Sequence, residues 1–301
     1  LKMCIGNKNN TLKIEKDILL SKINNNFKYQ LNKDQKKSLK ILEKFGNKFG
    51  VTVLQGVTGS GKTLVYFERV KEVLKQNKQV LIMLPEIFLT KQFQKRFEDF
   101  FGFVPETWHS KISIKNKRKI WQGILSNKIK LVIGARSSLL LPFKNLGIIV
   151  VDEEHDQSYK QGEGLIYNAR DMAISRASFE NIPIYLVTSI PSLETFNNIK
   201  IKKYNVSKLI ERYKKLPLPE AEVVNLSSSN LNKNKFIAQR TLEIVNNYLD
   251  KGQQVLFFLN RRGHSPFLIC KQCGFKHTCP HCTIYLTYHK LIDKLVCHHC
   301  G

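Results

Sequence analysis

Residues 50–63, GVTVLQGVTGSGKT, constrain this chain more than any other stretch. An apolar run at 51–55 ends in a glycine-rich turn, and an amphipathic pattern opens at Lys62. The turn reads G-x-x-x-x-G-K-T across Gly56, Val57, Thr58, Gly59, Ser60, Gly61, Lys62 and Thr63. Glycines let successive N–H groups converge on one anion with no Cβ in the way. The start of a helix adds partial positive charge at the same place. Such a turn between a buried strand and a helix is a candidate phosphate cradle, with Lys62 reaching the terminal phosphates and the Thr63 hydroxyl ligating Mg²⁺. The bland alternative is a tight strand–helix turn that holds nothing.

The flanking pattern fits an α/β sheet. Apolar runs rich in β-branched residues recur at 51–55, 80–84, 130–134, 147–151 and 184–188, with helical patterns over 62–75 and 86–100. Short, wholly apolar strands separated by helices predict a parallel sheet covered on both faces. One α/β domain is therefore expected over 29–200, preceded by a polar linker or remnant at 1–28. The proline-bearing KLPLPE and polar NLSSSNLNKNK segments mark 201–235 as a linker. A helix over 237–250 and a strand candidate at 254–259 open a second α/β unit, 236–269, and a cysteine-rich region follows at 270–301. Asp152 and Glu153 stand at the end of the 147–151 run, where open α/β sheets bind ligands. There they suit a metal and an attacking water, or else form a solvated turn.

The 301 residues carry a formal charge of +25, which favours a polyanion as partner, nucleic acid or anionic lipid. The lysines are dispersed, as a compositional bias would also leave them. No stretch approaches the ~20 apolar residues of a membrane span, and the N-terminus LKMCIGNKNN shows no secretory signal. Seven cysteines are present. Cys4 stands alone as an ordinary thiol, and Cys270, Cys273, Cys279, Cys282, Cys297 and Cys300 form three C-x₂-C pairs. Without an export signal these read as Zn²⁺ ligands before disulfides.

GVTGSGKT (56–63) with DEEH (152–155) resembles superfamily 2 helicases. LNKDQ (31–35), LPEIFLTKQ (84–92), PFKNLGIIVVDEEHDQSYKQGEG (142–164), YNARD (167–171), PSLET (191–195), NRRG (260–263) and the CxxC array narrow this to the primosomal replication-restart helicases, the PriA family. The resemblance covers nearly all of 29–301. It implies a RecA-like ATP-binding lobe and the start of a second RecA-like lobe interrupted by a zinc-binding insertion. It also implies ATP-driven 3′→5′ movement on single-stranded DNA at stalled forks. The implied partners are forked DNA, primosome proteins and single-stranded DNA-binding protein, in the bacterial cytoplasm at the nucleoid.

Carried onto this sequence, the resemblance gives Gln35 an adenine contact. Gly59, Gly61, Lys62 and Thr63 would hold phosphate and Mg²⁺, and Asp152 and Glu153 would serve metal and water. His155 would couple hydrolysis to DNA. Tyr167 and Arg170 would lie in a DNA-sensing loop, and Arg261 and Arg262 on the DNA path or in a solvated turn. Cys279, Cys282, Cys297 and Cys300 would form one zinc site, and Cys270 with Cys273 half of another. His281, His298 and His299 are expected to face solvent. The sequence departs from the family at Leu165-Ile166, where Trp-Arg is usual, at Ile190 in place of a hydroxyl, and at Ala135 in place of threonine. The chain is expected to be a fragment that binds ATP but hydrolyses it slowly, with a nucleotide- and zinc-binding scaffold as the competing function.

Overall fold

The computed structural model describes residues 30–162, 165–212, 217, 219–225, 237–258, 273–282, 284–289 and 293–298. The chain forms two compact units, one through Leu218 and one from Pro219.

In the first unit the elements run α1 (Lys33–Leu42), β1 (Gly50–Gly56), α2 (Lys62–Lys75), β2 (Gln79–Met83), α3 (Lys91–Phe101), β3 (Glu106–Trp108), α4 (Ile114–Leu125), β4 (Leu131–Gly134) and β5 (Leu146–Asp152). Then come β6 (Lys160–Gln161), β7 (Tyr167–Asn168), α5 (Ala169–Phe179), β8 (Pro183–Thr188), α6 (Leu193–Lys200) and β9 (Asn205–Leu209). Seven strands make one parallel sheet in the order β3-β4-β2-β5-β8-β1-β9. Parallel neighbours need crossover connections, so the helices fall on both faces and every central strand is buried twice over.

Alternate residues of the same strands serve opposite cores. Leu54, Val80, Ile82, Val150 and Val187 meet Val65, Phe67, Phe97 and Phe101 of α2 and α3. Val53, Leu81, Ile149, Val151 and Leu186 meet the small residues Ala169, Ala173 and Ala177 of α5. The β1–loop–α2 and β5 ends emerge at one edge of this sheet.

Three expectations change. The helix expected over 86–100 divides into a single turn at Glu86–Phe88 and α3, because Thr90 caps α3 by accepting from the Phe93 N–H at 3.2 Å. The linker expected at 201–235 begins with β9, which pairs in parallel with β1. Its NVSKL sequence mixes polar and apolar residues, as an edge strand does, and so reads as irregular. Residues 253–258 form no ladder among the described residues, and Leu256 and Phe258 are 89% and 83% exposed.

The second unit contains α7 (Gln239–Asp250), within the helix expected at 237–250, and an antiparallel hairpin of β10 (Thr287–His289) and β11 (Lys294–Val296). No helix among the described residues is long and apolar enough to cross a membrane.

Candidate functional site

The loop between β1 and α2 has the backbone its glycines permit. Gly59 and Gly61 both sit at φ 82°, in the left-handed region, and Gly61 caps α2. A Cβ at Gly61 would stand 2.3 Å from Gln35 Nε2, so any other residue would push that side chain aside as well as strain the backbone. Gln35 lies against the loop, with its Nε2 donating to the Ser60 carbonyl at 3.0 Å and its Oε1 accepting from the Asn32 N–H at 3.0 Å. The expected adenine contact thus begins from a side chain that braces the loop and caps α1. The Ser60 hydroxyl is buried with no hydrogen-bond partner among the described residues. A loop that leaves a polar atom so placed fits an anion better than a bare turn does.

The Lys62 ammonium donates to the Gly56 carbonyl at 2.7 Å. Burial lowers its pKa, and nearby Glu153 and Asp152 oppose that shift. Asp152 ends β5, and burial pushes its carboxyl up to about 6, with the Tyr66 hydrogen bond pulling the other way. The Tyr66 hydroxyl donates to Asp152 Oδ2 at 2.9 Å, tying α2 to β5, and the Tyr159 hydroxyl donates to the Asp152 carbonyl at 2.7 Å. Glu153 turns the chain at φ 50°, a conformation that costs about 1–3 kcal/mol outside glycine and clusters at functional sites. Thr63, Asp152 and Glu153 line one cleft with Gln92, Phe93 and Arg96 of α3. A hydroxyl and two carboxylates at one cleft wall are a fitting donor set for a hard, oxygen-seeking cation.

Residues 32–195 match the DEAD/DEAH box helicase family. The chain belongs to that family. Residues 279–301 match the PriA DNA helicase Cys-rich region (CRR) domain. The chain is 49% identical over 281 residues to the replication restart protein PriA of Rickettsia conorii, covering 93% of this chain and 43% of that protein. It is 38% identical over 252 residues to PriA of Bacillus subtilis, covering 83% of this chain and 31% of that protein. The chain thus spans less than half the length of the curated relatives it matches. Among solved structures, RecG bound to a three-way DNA junction aligns at TM-score 0.50 and 21% identity, over 74% of this chain and 28% of that one, a likeness of fold. The first unit is thus a RecA-like helicase lobe, and a cysteine-rich ribbon follows it.

In this helicase lobe the DEEH box does more than the sequence reading assigns. His155 Nδ1 lies 2.8 Å from Thr188 Oγ1, whose hydroxyl donates to the Ile190 carbonyl at 2.7 Å. Beside that contact stands a residue the sequence reading passed over. Glu154 is 2% exposed. It accepts from the Ser192 N–H at 2.8 Å, the Thr195 hydroxyl at 2.9 Å and the Arg170 guanidinium at 3.1 Å.

Arg170, expected in a DNA-sensing loop, is 4% exposed and turned inward. Its guanidinium is held by Glu154, Asp171 and Glu194, so it latches the box to α5 and α6. The sequence marks only that the second Glu of DEEH and the Ser-x-x-Thr of PSLET are polar residues flanking buried strands, and the fold alone brings them together. Removing one partner of a buried pair strands the other, so Glu154→Ala should cost about 3–5 kcal/mol in urea unfolding. Asp34→Ala, at an exposed pair with Lys37, should cost about 0–1 kcal/mol.

Tyr167 is half-buried in β7, paired with Gln161 of β6. Leu165 and Ile166 are each 78% exposed at this small arm. Arg136 Nη1 donates to the Lys160 carbonyl at 2.9 Å and ties the arm to the sheet. Arg261 and Arg262 lie outside the described residues.

In the ribbon, the sulfurs of Cys279, Cys282 and Cys297 lie within 4.8 Å of one another. The Cys279 N–H donates to the Ile284 carbonyl at 2.7 Å, and the β10–β11 hairpin returns Cys297 to the first pair. Three converging thiols suit the tetrahedral, thiolate-rich preference of Zn²⁺. Cys273 is exposed and apart from that trio, and Cys270 and Cys300 lie outside the described residues. His281 and His298 are exposed as expected, and His299 lies outside the described residues.

Proposed function

We propose that the chain is the ATP-binding lobe and ribbon of an ATP-dependent 3′→5′ DNA helicase of the PriA type. It would move on single-stranded DNA to restart replication at stalled forks. The observation that carries this reading is the single cleft shared by Thr63, Asp152 and Glu153, with the Lys62 ammonium close enough to feel both carboxylates.

In this reading the amides of Gly59 to Thr63 hold the phosphates and Lys62 neutralises the β- and γ-oxygens. Thr63 and Asp152 would hold Mg²⁺, whose charge would offset that of the phosphates. Glu153 orients the attacking water. Gln35 faces the adenine. His155, through Thr188, carries the state of the site to the segment after β8. The β6–β7 arm with Tyr167 faces the DNA, joined by Arg261 and Arg262. Cys279, Cys282, Cys297 and Cys300 hold one Zn²⁺, and Cys270 and Cys273 contribute to a second site. The partners are single-stranded and forked DNA, primosome proteins and single-stranded DNA-binding protein, in the bacterial cytoplasm.

The test is ATP turnover with and without single-stranded DNA, followed from pH 8 to pH 5. DNA should stimulate turnover. The Asp152 carboxylate must be charged to ligate Mg²⁺, so activity should be full well above pH 6, about half lost near it and lost further below. Bound Mg²⁺ favours the charged form, so raising Mg²⁺ should move that decline to lower pH. Turnover indifferent to DNA would sink the motor reading, and a decline indifferent to Mg²⁺ would remove Asp152 from the metal.

A further inference from the structure

The flank of the phosphate loop farthest from Asp152 carries a side chain that the function above leaves unused. Arg212 lies three residues past β9. Its Nε donates to the Thr58 carbonyl at 3.1 Å and its Nη1 to the Pro217 carbonyl at 3.1 Å. The same Nε is 3.5 Å from where a Cβ on Gly59 would stand. The backbone around it is stitched to the loop as well, since the Val57 N–H donates to the Leu209 carbonyl at 3.2 Å. A half-buried arginine is thus fixed at two points beside the loop apex rather than left free in solvent.

The sheet order says which half of a nucleotide would reach it. Asp152 ends β5, two strands from β1 on one side, and Arg212 follows β9, next to β1 on the other. A triphosphate gripped at the end of β1 turns its metal-bound end toward β5. Its ribose and base therefore run toward β9 and α1, where Gln35 and Arg212 each hydrogen-bond to that loop. Gln35 supplies an edge that can hydrogen-bond. A purine also has two faces, and a planar guanidinium is the side chain that stacks on one while keeping its in-plane donors engaged.

We propose that Arg212 forms one wall of the purine subsite, its plane set by the carbonyls of Thr58 and Pro217 so that it packs on the base. It acts on the nucleoside half of the ligand and not on the phosphates. This rests on the phosphate-loop reading, and the experiment separates the two. Calorimetry would compare Mg·ADP with inorganic tripolyphosphate for the unaltered chain, Arg212→Ala and Arg212→Lys. The unaltered chain should bind both ligands. Arg212→Ala should weaken ADP about tenfold, from the lost stacking, and leave tripolyphosphate within about twofold. Arg212→Lys keeps the charge but has no plane, and should track Arg212→Ala for ADP. Equal loss for both ligands would mean a loop brace or a phosphate contact and would overturn the proposal, as would no loss for either. If the unaltered chain bound neither ligand, the phosphate-loop reading itself would fall.

Discussion

Replacing Lys62 with alanine is expected to weaken Mg·ATP about 10- to 100-fold, since a hydrogen bond to a charged group contributes ~1.5–3 kcal/mol. Turnover should fall further, because charge on the transferring phosphoryl oxygens grows toward the transition state and Lys62 is placed to meet it. Stability should change little, within about 1 kcal/mol, because two opposing effects meet at this side chain. The half-buried ammonium loses solvation, which burial signals by lowering its pKa, and regains a 2.7 Å hydrogen bond to the Gly56 carbonyl. Calorimetric titration alongside urea unfolding checks both halves. Lost binding on an unchanged unfolding curve is the expected result. Undiminished binding would show that the loop amides suffice, and would leave the lysine as a loop clasp.

The contrast between Lys62 and Glu154 shows how differently function and scaffold are written in one sequence. Lys62 stood out because the motif that suggests its role is local, with glycines, lysine and hydroxyl within the eight residues 56–63 directly after a strand. The central strands were legible for a similar reason, since burial on both faces makes each an unbroken apolar run. Glu154 was not, because its partners Arg170, Ser192 and Thr195 come from later in the chain and meet it only once β5 and β8 lie side by side.

Arg170 was misjudged on the same account. An arginine in a polar segment reads as a solvent-facing cation until the fold supplies three carboxylates around it. Arg212 was hidden by β9, an edge strand whose mixed residues looked like linker. The strand expected at 254–259 runs past the described residues, which end at 258 there. Its residues have the right character, but a strand exists only by pairing, and none of the described residues pairs with 253–258.

Removing zinc should have the largest effect on the second unit. Among its described residues the ribbon has little core of its own, with Cys279 and Cys297 its buried apolar residues and its strands only three residues each. A hairpin that short is not stable alone in water. The metal must therefore supply most of the folding free energy, which for structural Zn²⁺ is about 10–16 kcal/mol at neutral pH. Chelation should collapse the β10–β11 amide signals in an NMR spectrum, and added Zn²⁺ should restore them. Cys279→Ser should mimic chelation, because it removes a buried ligand from the trio. Cys273→Ser should leave the hairpin ordered, because that exposed thiol stands apart from the trio. Metal analysis should then find about one Zn²⁺ per chain, lost in Cys279→Ser and retained in Cys273→Ser. A hairpin that stays ordered without metal would mean that its backbone pairing holds the three sulfurs together, and the thiols would need another explanation.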